Sequence, residues 1–369
     1  MATRVRAAVL PRSGEPLRIE ELELAPPRDG EVLVRLLASG VCHSDLHQAD
    51  GDWDDPGPMV LGHEGAGIVE AVGPGVTTPQ VGDFVGLNWF WPCRRCEPCH
   101  RGHPWACTGN TSFHDRLPDD TTRLARPGGE KVLQMLSVGT FAERAVVPAA
   151  AAIPFPPEVP PEVAALIGCG VTTGVMSVLR AAAVEPGSSV VVLGLGGVGL
   201  SVVMGAVLAG ATTITGVDRV EDKLERARGF GATHTVRADE EPKATKAAVR
   251  EAVGERPRYV FECIGLPSTV ELAIDLVAGD GTVVAVGIPP LRERASFDVG
   301  YLIDRSARII GANYGWSIPD IDFRRLAQLY LAGRLPVHRL IEERIRLDEV
   351  NDALEALRRG EGLRRVILF

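Results

Sequence analysis

Residues 188–217 carry no charge and are long enough to cross a bilayer as one helix, yet glycine interrupts them at 194, 196, 197, 199, 205 and 210. The first part, 190–193, is Val-Val-Val-Leu, a β-branched run that suits a strand. A buried strand, a tight turn and a buried helix therefore fit this stretch better than a spanning helix. That unit constrains the rest of the chain, because a buried strand feeding a buried helix needs parallel neighbours to cover it.

The neighbours can be traced. Strands are expected at 213–217, 233–236, 259–262 and 282–286, and helices to about 209 and at 221–230, 243–253 and 268–277. This alternation predicts a parallel doubly wound sheet. A further strand at 308–312 precedes amphipathic helices at 321–332 and 347–359. The first 150 or so residues differ, with short β runs such as 31–37 and 67–72 broken by Gly and Pro turns. Between them, residues 148–161 hold six prolines in fourteen positions and are expected to be a connector. The tail is expected to rejoin the first section. At 369 residues, two domains are anticipated.

Composition narrows the function classes. With 48 acidic against 39 basic residues and a net charge of -9, the chain is poorly suited to nucleic acid or an anionic membrane. Arg4 and Arg6 precede an apolar run of only four residues, 7–10, so no signal peptide is expected and a cytoplasmic location is. The seven cysteines are odd in number and unevenly spaced, which disfavours a disulfide framework.

Gly194-Leu195-Gly196-Gly197-Val198-Gly199 satisfies G-x-G-x-x-G between the strand and the helix. The spacing permits a tight turn, close approach of backbone N–H groups to a pyrophosphate, and close helix–strand packing. Asp218, at the end of the second strand, stands 24 residues on, where a carboxylate accepts hydrogen bonds from a ribose diol. It favours NAD, since an acid repels a 2′-phosphate; Arg219 beside it argues for NADP.

Cys93-x2-Cys96-x2-Cys99-x7-Cys107 gathers four thiols on one loop, as a closed tetrahedral structural zinc site requires. An iron–sulfur cluster is the rival, disfavoured by the polar intervening residues and the lack of a second cluster motif. Cys42, His63 and Cys169 remain as a candidate set of two thiolates and one imidazole, which leaves zinc an open position; a core histidine and buried thiols are the alternative. Cys263 is expected to be a buried thiol on a strand.

The residues Gly-Val-Cys-His-Ser-Asp at 40–45, Gly62-His63-Glu64-x2-Gly67-x5-Gly73-x2-Val76, the four-cysteine loop, 168–174 (Gly-Cys-Gly-Val-Thr-Thr-Gly) and the dinucleotide motif occur in that order. Together they resemble the zinc-dependent alcohol dehydrogenases of the medium-chain dehydrogenase/reductase superfamily, along essentially the whole chain. The resemblance implies an α/β protein: a GroES-like, mainly β catalytic domain from 1–170 and 311–369, around a Rossmann NAD-binding domain at 171–310. It implies two zinc ions per subunit, with Cys42, His63 and Cys169 holding the catalytic one. Glu64 matches the acid behind that metal and Asp45 the carboxylate that orients its histidine. Ser44 and His47 match the proton relay, in which a proton leaves through the hydroxyl, the nicotinamide ribose and the imidazole. His43, Lys223 and Arg364 match contacts to the cofactor's phosphates and ribose, and Val286 and Ile288 border the nicotinamide.

The implied reaction is reversible hydride transfer between an alcohol and NAD. The long segment 108–168 resembles dimeric members, and an edge strand near 299–310 is expected to pair across a two-fold axis in a homodimer. The same segment, with Leu87-Asn88-Trp89, is also similar to mycothiol- or glutathione-linked formaldehyde dehydrogenases, the alternative function; a biosynthetic reductase on the same fold is another. Trp53 stands where the glutathione-linked enzymes carry an acid, with Asp52 adjacent. Trp53 and Trp89 are expected to line the substrate pocket, Phe90 and Trp91 following, which favours aromatic, allylic or long-chain primary alcohols without a thiol co-substrate.

Overall fold

The computed structural model describes residues 2–369. The chain divides into two compact units, Gly170–Ser317 and the pair Met1–Cys169 with Ile318–Phe369.

Gly170–Ser317 is built on six parallel strands in the spatial order His234–Arg237, Thr213–Asp218, Ser189–Leu193, Tyr259–Glu262, Thr282–Ala285, Arg308–Gly311. Relative to chain order this is 3-2-1-4-5-6, the doubly wound Rossmann arrangement. The chargeless run resolves into the strand Ser189–Leu193, the helix Gly197–Ala209 and the strand Thr213–Asp218. Its strand is the third of six and buried at every position, which is why it reads as continuously apolar. Val191 and Leu193 pack with Val217, Val260, Val283 and Leu276 in one core cluster.

The other unit is mainly β. Thr3–Leu10, Arg18–Leu24, Leu124–Ala125, Lys131–Gln134 and Met59–Val60 close a small barrel. A second sheet runs in the order Ala152–Pro154, Phe84–Leu87, Glu64–Val72, Glu31–Gly40, Arg364–Leu368, Ile341–Ile345, with Arg144–Pro148 also paired to Glu31–Gly40. The tail enters this sheet directly, Val366, Ile367 and Leu368 lying antiparallel to Gly40, Ser39 and Ala38.

Three local expectations change. The proline-rich 148–161 is not only a connector: Ala152–Pro154 pairs along Phe84–Leu87 at the sheet edge, where proline's missing N–H is tolerated. Residues 299–310 are not one edge strand, because Asp298 caps a short helix, Val299–Asp304, by accepting from the Tyr301 N–H; the strand begins only at Arg308. Cys263 is half-buried just past the end of Tyr259–Glu262 rather than within it. One helical run, Pro161–Ala181, is long and apolar enough to cross a membrane, and 89% of its apolar window is buried inside the protein.

Candidate active site

Asp45 organises the first constellation. Cys42 is the N-cap of the helix His43–Asp50, and its backbone N–H donates to Asp45 Oδ2 at 2.8 Å. The other oxygen accepts from the Gly62 N–H and from His63 Nδ1, each at 3.1 Å. One fully buried carboxylate thus receives three donors from two segments of chain, and the partners satisfy a charge that burial otherwise penalises. Its bond to Nδ1 orients the ring and leaves Nε2 as the nitrogen that faces a further partner.

That Nε2 is buried and has no hydrogen-bond partner among the described residues. Ligand atoms of Cys42, His63, Glu64 and Cys169 all lie within 4.8 Å of one another. Burial favours the neutral imidazole, but Asp45 and Cys42 outweigh it and raise the His63 pKa well above the usual histidine value. Cys42 is drawn toward the thiolate by the Cys169 thiol, which donates to it, with help from Arg364 and His63 against burial. Burial pushes the Glu64 carboxyl up to about 7, against the pull of Arg364. An orphaned imidazole nitrogen among soft thiol sulfurs is the donor set that suits a zinc ion.

Arg364 is itself buried, and its guanidinium pairs with Glu64 across 300 residues of sequence. Expected to meet cofactor phosphates, it stands here beside the metal-type cluster, with Nε unpartnered among the described residues.

The four-cysteine loop forms a second cluster, with all four sulfurs within 4.8 Å of one another. Cys96 opens the turn Glu97–His100, and the Cys93 N–H donates to Cys107 Sγ at 3.1 Å. Gly109 is required beside it, since a Cβ there would come within 2.7 Å of Cys93 Sγ. Four thiols that close, with one backbone donor already aimed at a sulfur, fit a closed tetrahedral metal.

In the Rossmann unit the three motif glycines do different things. Gly194 turns the chain at φ +90. Gly199 lets the helix Gly197–Ala209 lie against Gly194, because a Cβ at 199 would collide with the Gly194 carbonyl. Gly196 faces open space, with nothing within 4 Å of where its Cβ would sit, and Gly197 and Val198 are half-buried beside it. The bare helix N-terminus fits a pyrophosphate. Asp218 accepts from the Leu195 N–H at 2.8 Å and the Val220 N–H at 3.0 Å, so the carboxylate is held against the glycine turn. Lys223 is half-buried in the next helix, Glu221–Phe230. Val286 is buried and Ile288 is half exposed; the Val286 and Gly287 N–H groups both donate to the Glu262 carbonyl.

Ser44 and His47 sit three residues apart on His43–Asp50, on one helix face, with His43 exposed at its first position. The two tryptophans expected at the pocket have different neighbours. Trp53 stacks on His47, with centroids 5.5 Å apart, whereas Trp89 meets Phe90 and Phe113 edge-on at 5.8 and 5.9 Å. Phe113, 60% exposed, was not anticipated from sequence, and Asp52, noted there only as the acid beside Trp53, was not expected to reach His47 Nδ1 with its carboxylate. Phe113 gave no motif; Asp52 gave a weak signal as an acid five residues past a relay candidate.

Two family descriptions match the chain: "Alcohol dehydrogenase GroES-like domain" over residues 28–157 and "Zinc-binding dehydrogenase" over 197–331. The chain is 37% identical to an NDMA-dependent alcohol dehydrogenase of Amycolatopsis methanolica, over 99% of each. Among solved structures it resembles an alcohol dehydrogenase zinc-binding domain protein from Burkholderia ambifaria, with TM-score 0.95 and 38% identity over the full length of both. It also resembles benzyl alcohol dehydrogenase from Acinetobacter calcoaceticus, with TM-score 0.91 and 33% identity over 100% of this chain and 99% of that one.

Proposed function

The chain belongs to the zinc-dependent alcohol dehydrogenases of the medium-chain dehydrogenase/reductase superfamily, and from that premise we propose that it oxidises primary alcohols bearing aromatic, allylic or long apolar groups, reversibly and with NAD. The carrying observation is the Asp45–His63 hydrogen bond at 3.1 Å, which leaves Nε2 free beside Cys42 and Cys169. The functional division we adopt is 1–170 with 311–369 for catalysis and 171–310 for the dinucleotide.

Cys42, His63 and Cys169 would hold the catalytic zinc, and Cys93, Cys96, Cys99 and Cys107 the structural one. Bound, the zinc supplies Lewis acidity toward the alcohol oxygen and the nicotinamide accepts the hydride. The chain's own groups do the rest. Asp45 fixes the His63 ring and its tautomer. Glu64 and Arg364 keep a compensated charge pair behind the ligands. Ser44 takes the hydroxyl proton and passes it toward His47, which releases it to water. Gly194, Gly196, Gly197, Val198 and Gly199 receive the pyrophosphate on backbone N–H groups, Asp218 the adenosine ribose, and Lys223, His43 and Arg364 further phosphate and ribose oxygens. Val286 and Ile288 present apolar surface to the nicotinamide.

Support for the substrate class comes from Trp89, Phe90 and Phe113, three rings in mutual edge-to-face contact near 6 Å, together with Trp53. Flat apolar groups bury well against such walls, at about 25 cal/mol per Å² removed from water, and ethanol offers little area. The relative's name, benzyl alcohol dehydrogenase, points the same way. The test compares kcat/KM for ethanol, benzyl alcohol, a long alkanol, and formaldehyde with glutathione or mycothiol. Benzyl alcohol or the alkanol should lead without added thiol; activity confined to the thiol adduct would establish the formaldehyde dehydrogenase alternative.

We further propose a cytoplasmic homodimer. Phe297, Val299, Ile303 and Ile309 are exposed apolar side chains on and before the edge strand Arg308–Gly311, surface that a second copy would cover. Light scattering should give about twice 39.4 kDa.

A further inference from the structure

The helix His43–Asp50 ends on Gly51, whose φ of 82° turns the chain back on itself. The N–H groups of Gly51 and Asp52 both donate to the His47 carbonyl, the latter at 3.0 Å. This turn carries the Asp52 carboxylate under the imidazole of a residue five positions earlier, where Oδ2 lies 2.6 Å from His47 Nδ1. The next residue, Trp53, stacks on the same ring at 5.5 Å and 27°. The other acids nearby are engaged elsewhere: Asp50 with Arg358, which also meets Glu355, and Asp55 with the Gly57 and Ser13 N–H groups. The Asp54 carbonyl accepts from Gln48, a further tie that holds the turn.

We infer that Asp52 is a positioning residue for proton transfer: it holds His47 as the Nδ1–H tautomer, so that Nε2 carries the lone pair, while Trp53 fixes the ring plane. This rests on the relay role proposed above for His47. A neutral imidazole with its proton on Nε2 cannot accept a second one there, so an unrestrained ring is part of the time in the wrong form. With Nδ1–H committed to Asp52, the O–H bond of the alcohol breaks, its proton passes through Ser44, and an N–H bond forms at Nε2. The resulting imidazolium keeps its Nδ1–H on Asp52, whose charge stabilises it, and Nε2 then gives the proton to water. In aldehyde reduction the same bonds form and break in reverse. The logic is that of the aspartate that orients a catalytic histidine in hydrolases. Trp53 thus has a second duty besides forming pocket wall.

The test uses the zinc-loaded enzyme with four variants, Asp52→Asn, Asp52→Glu, His47→Gln and Trp53→Phe. Long-range 1H–15N correlation spectra of histidine-labelled enzyme, with the His47 signal assigned by its loss in His47→Gln, should show Nδ1–H in the parent and a shift toward Nε2–H in Asp52→Asn. Asp52→Asn should lower kcat for alcohol oxidation on the order of tenfold, with zinc content and NADH affinity by fluorescence unchanged. Asp52→Glu should recover part of the loss, and Trp53→Phe should keep the tautomer. An unchanged tautomer and kcat in Asp52→Asn, alongside a marked loss in His47→Gln, overturns the inference and leaves the relay standing. Full activity in His47→Gln removes the relay itself, and the assignment of Asp52 with it.

Discussion

Gly40 leaves the space that the carboxylate of Glu64 occupies: a Cβ at 40 would collide with Glu64 Oε2 and come within 3.0 Å of Leu166 Cδ2. Both neighbours are buried, so neither can step aside into solvent. Gly40→Ala should therefore displace the acid from Arg364 and destabilise the protein by about 1–3 kcal/mol, the usual range for overpacking. Its backbone needs no positive φ, so the effect is steric. A denaturant midpoint indistinguishable from the parent's would refute this.

Metal removal should separate the two clusters. Purified protein should hold two zinc ions per chain. Cys42→Ala should lose one and all activity but keep the thermal midpoint within a few degrees, because Asp45 still joins the backbone at 42 and 62 to His63. Cys93→Ala should lose the other and markedly lower the midpoint, since metal binding there organises a loop with little regular structure. Metal analysis with melting curves decides it; a stoichiometry near one sinks the assignment.

Coenzyme choice is expected to turn on Asp218. The parent should prefer NAD over NADP in kcat/KM. Asp218→Gly should relax that preference and also weaken NAD, since the Leu195 and Val220 N–H groups lose their acceptor along with the ribose. NADH titration by fluorescence reads binding apart from turnover. A parent that prefers NADP would mean Arg219 outweighs the acid.

These elements differ in how far they could be seen in sequence, and the reason is distance along the chain. Cys93 to Cys107 lie on one short loop, and the strand, turn and helix at Ser189–Ala209 are contiguous, so spacing and periodicity expose them. The fold class followed from that alternation. The Glu64–Arg364 pair spans 300 residues and needs the tail strand in register, which no local pattern encodes. The helix Val299–Asp304 was missed because β-branched and aromatic residues there read as strand, while one capping bond from Asp298 decided otherwise. Ala152–Pro154 was hidden by prolines, which an edge strand accommodates.

The aromatic group offers a prediction about specificity. Trp89→Ala should raise KM for benzyl alcohol about tenfold, consistent with loss of an aromatic contact and its buried area, and alter ethanol little. Phe113→Ala should act in the same direction more weakly, being 60% exposed. Parallel losses on both substrates would assign these rings to packing.

Asp115 supplies a pH signature. Burial pushes its carboxyl up to about 6, against the Leu136 N–H that donates to it at 2.8 Å and the nearby His114. The folded pKa lies above the unfolded one, about 4, so the native state binds more protons between these values. The group then subtracts nothing below pH 4, and its penalty grows until about pH 6. Asp115→Asn keeps an acceptor for Leu136 and suits φ 55°, a conformation asparagine tolerates. Its stability relative to the parent should rise between pH 4 and 6 and level off above, by at most about 2 kcal/mol once residual hydration is allowed for. Urea midpoints at pH 4.5 and 7.5 measure it; equal differences at both refute it.

The strand Arg364–Leu368 lies against Ala38–Gly40 and delivers the guanidinium that Glu64 faces. On the ribosome that strand is made after every other strand of its sheet. At roughly 5–20 residues per second, the 300 residues between the two partners take about 15–60 s to appear. Throughout that interval the nascent sheet has an open edge at Ala38–Gly40, beyond the stretch that Arg144–Pro148 covers, and an acid whose counter-charge does not yet exist, while the Rossmann unit, encoded wholly in between, is free to form. The mainly β unit thus completes its second sheet only after the whole Rossmann unit has been synthesised.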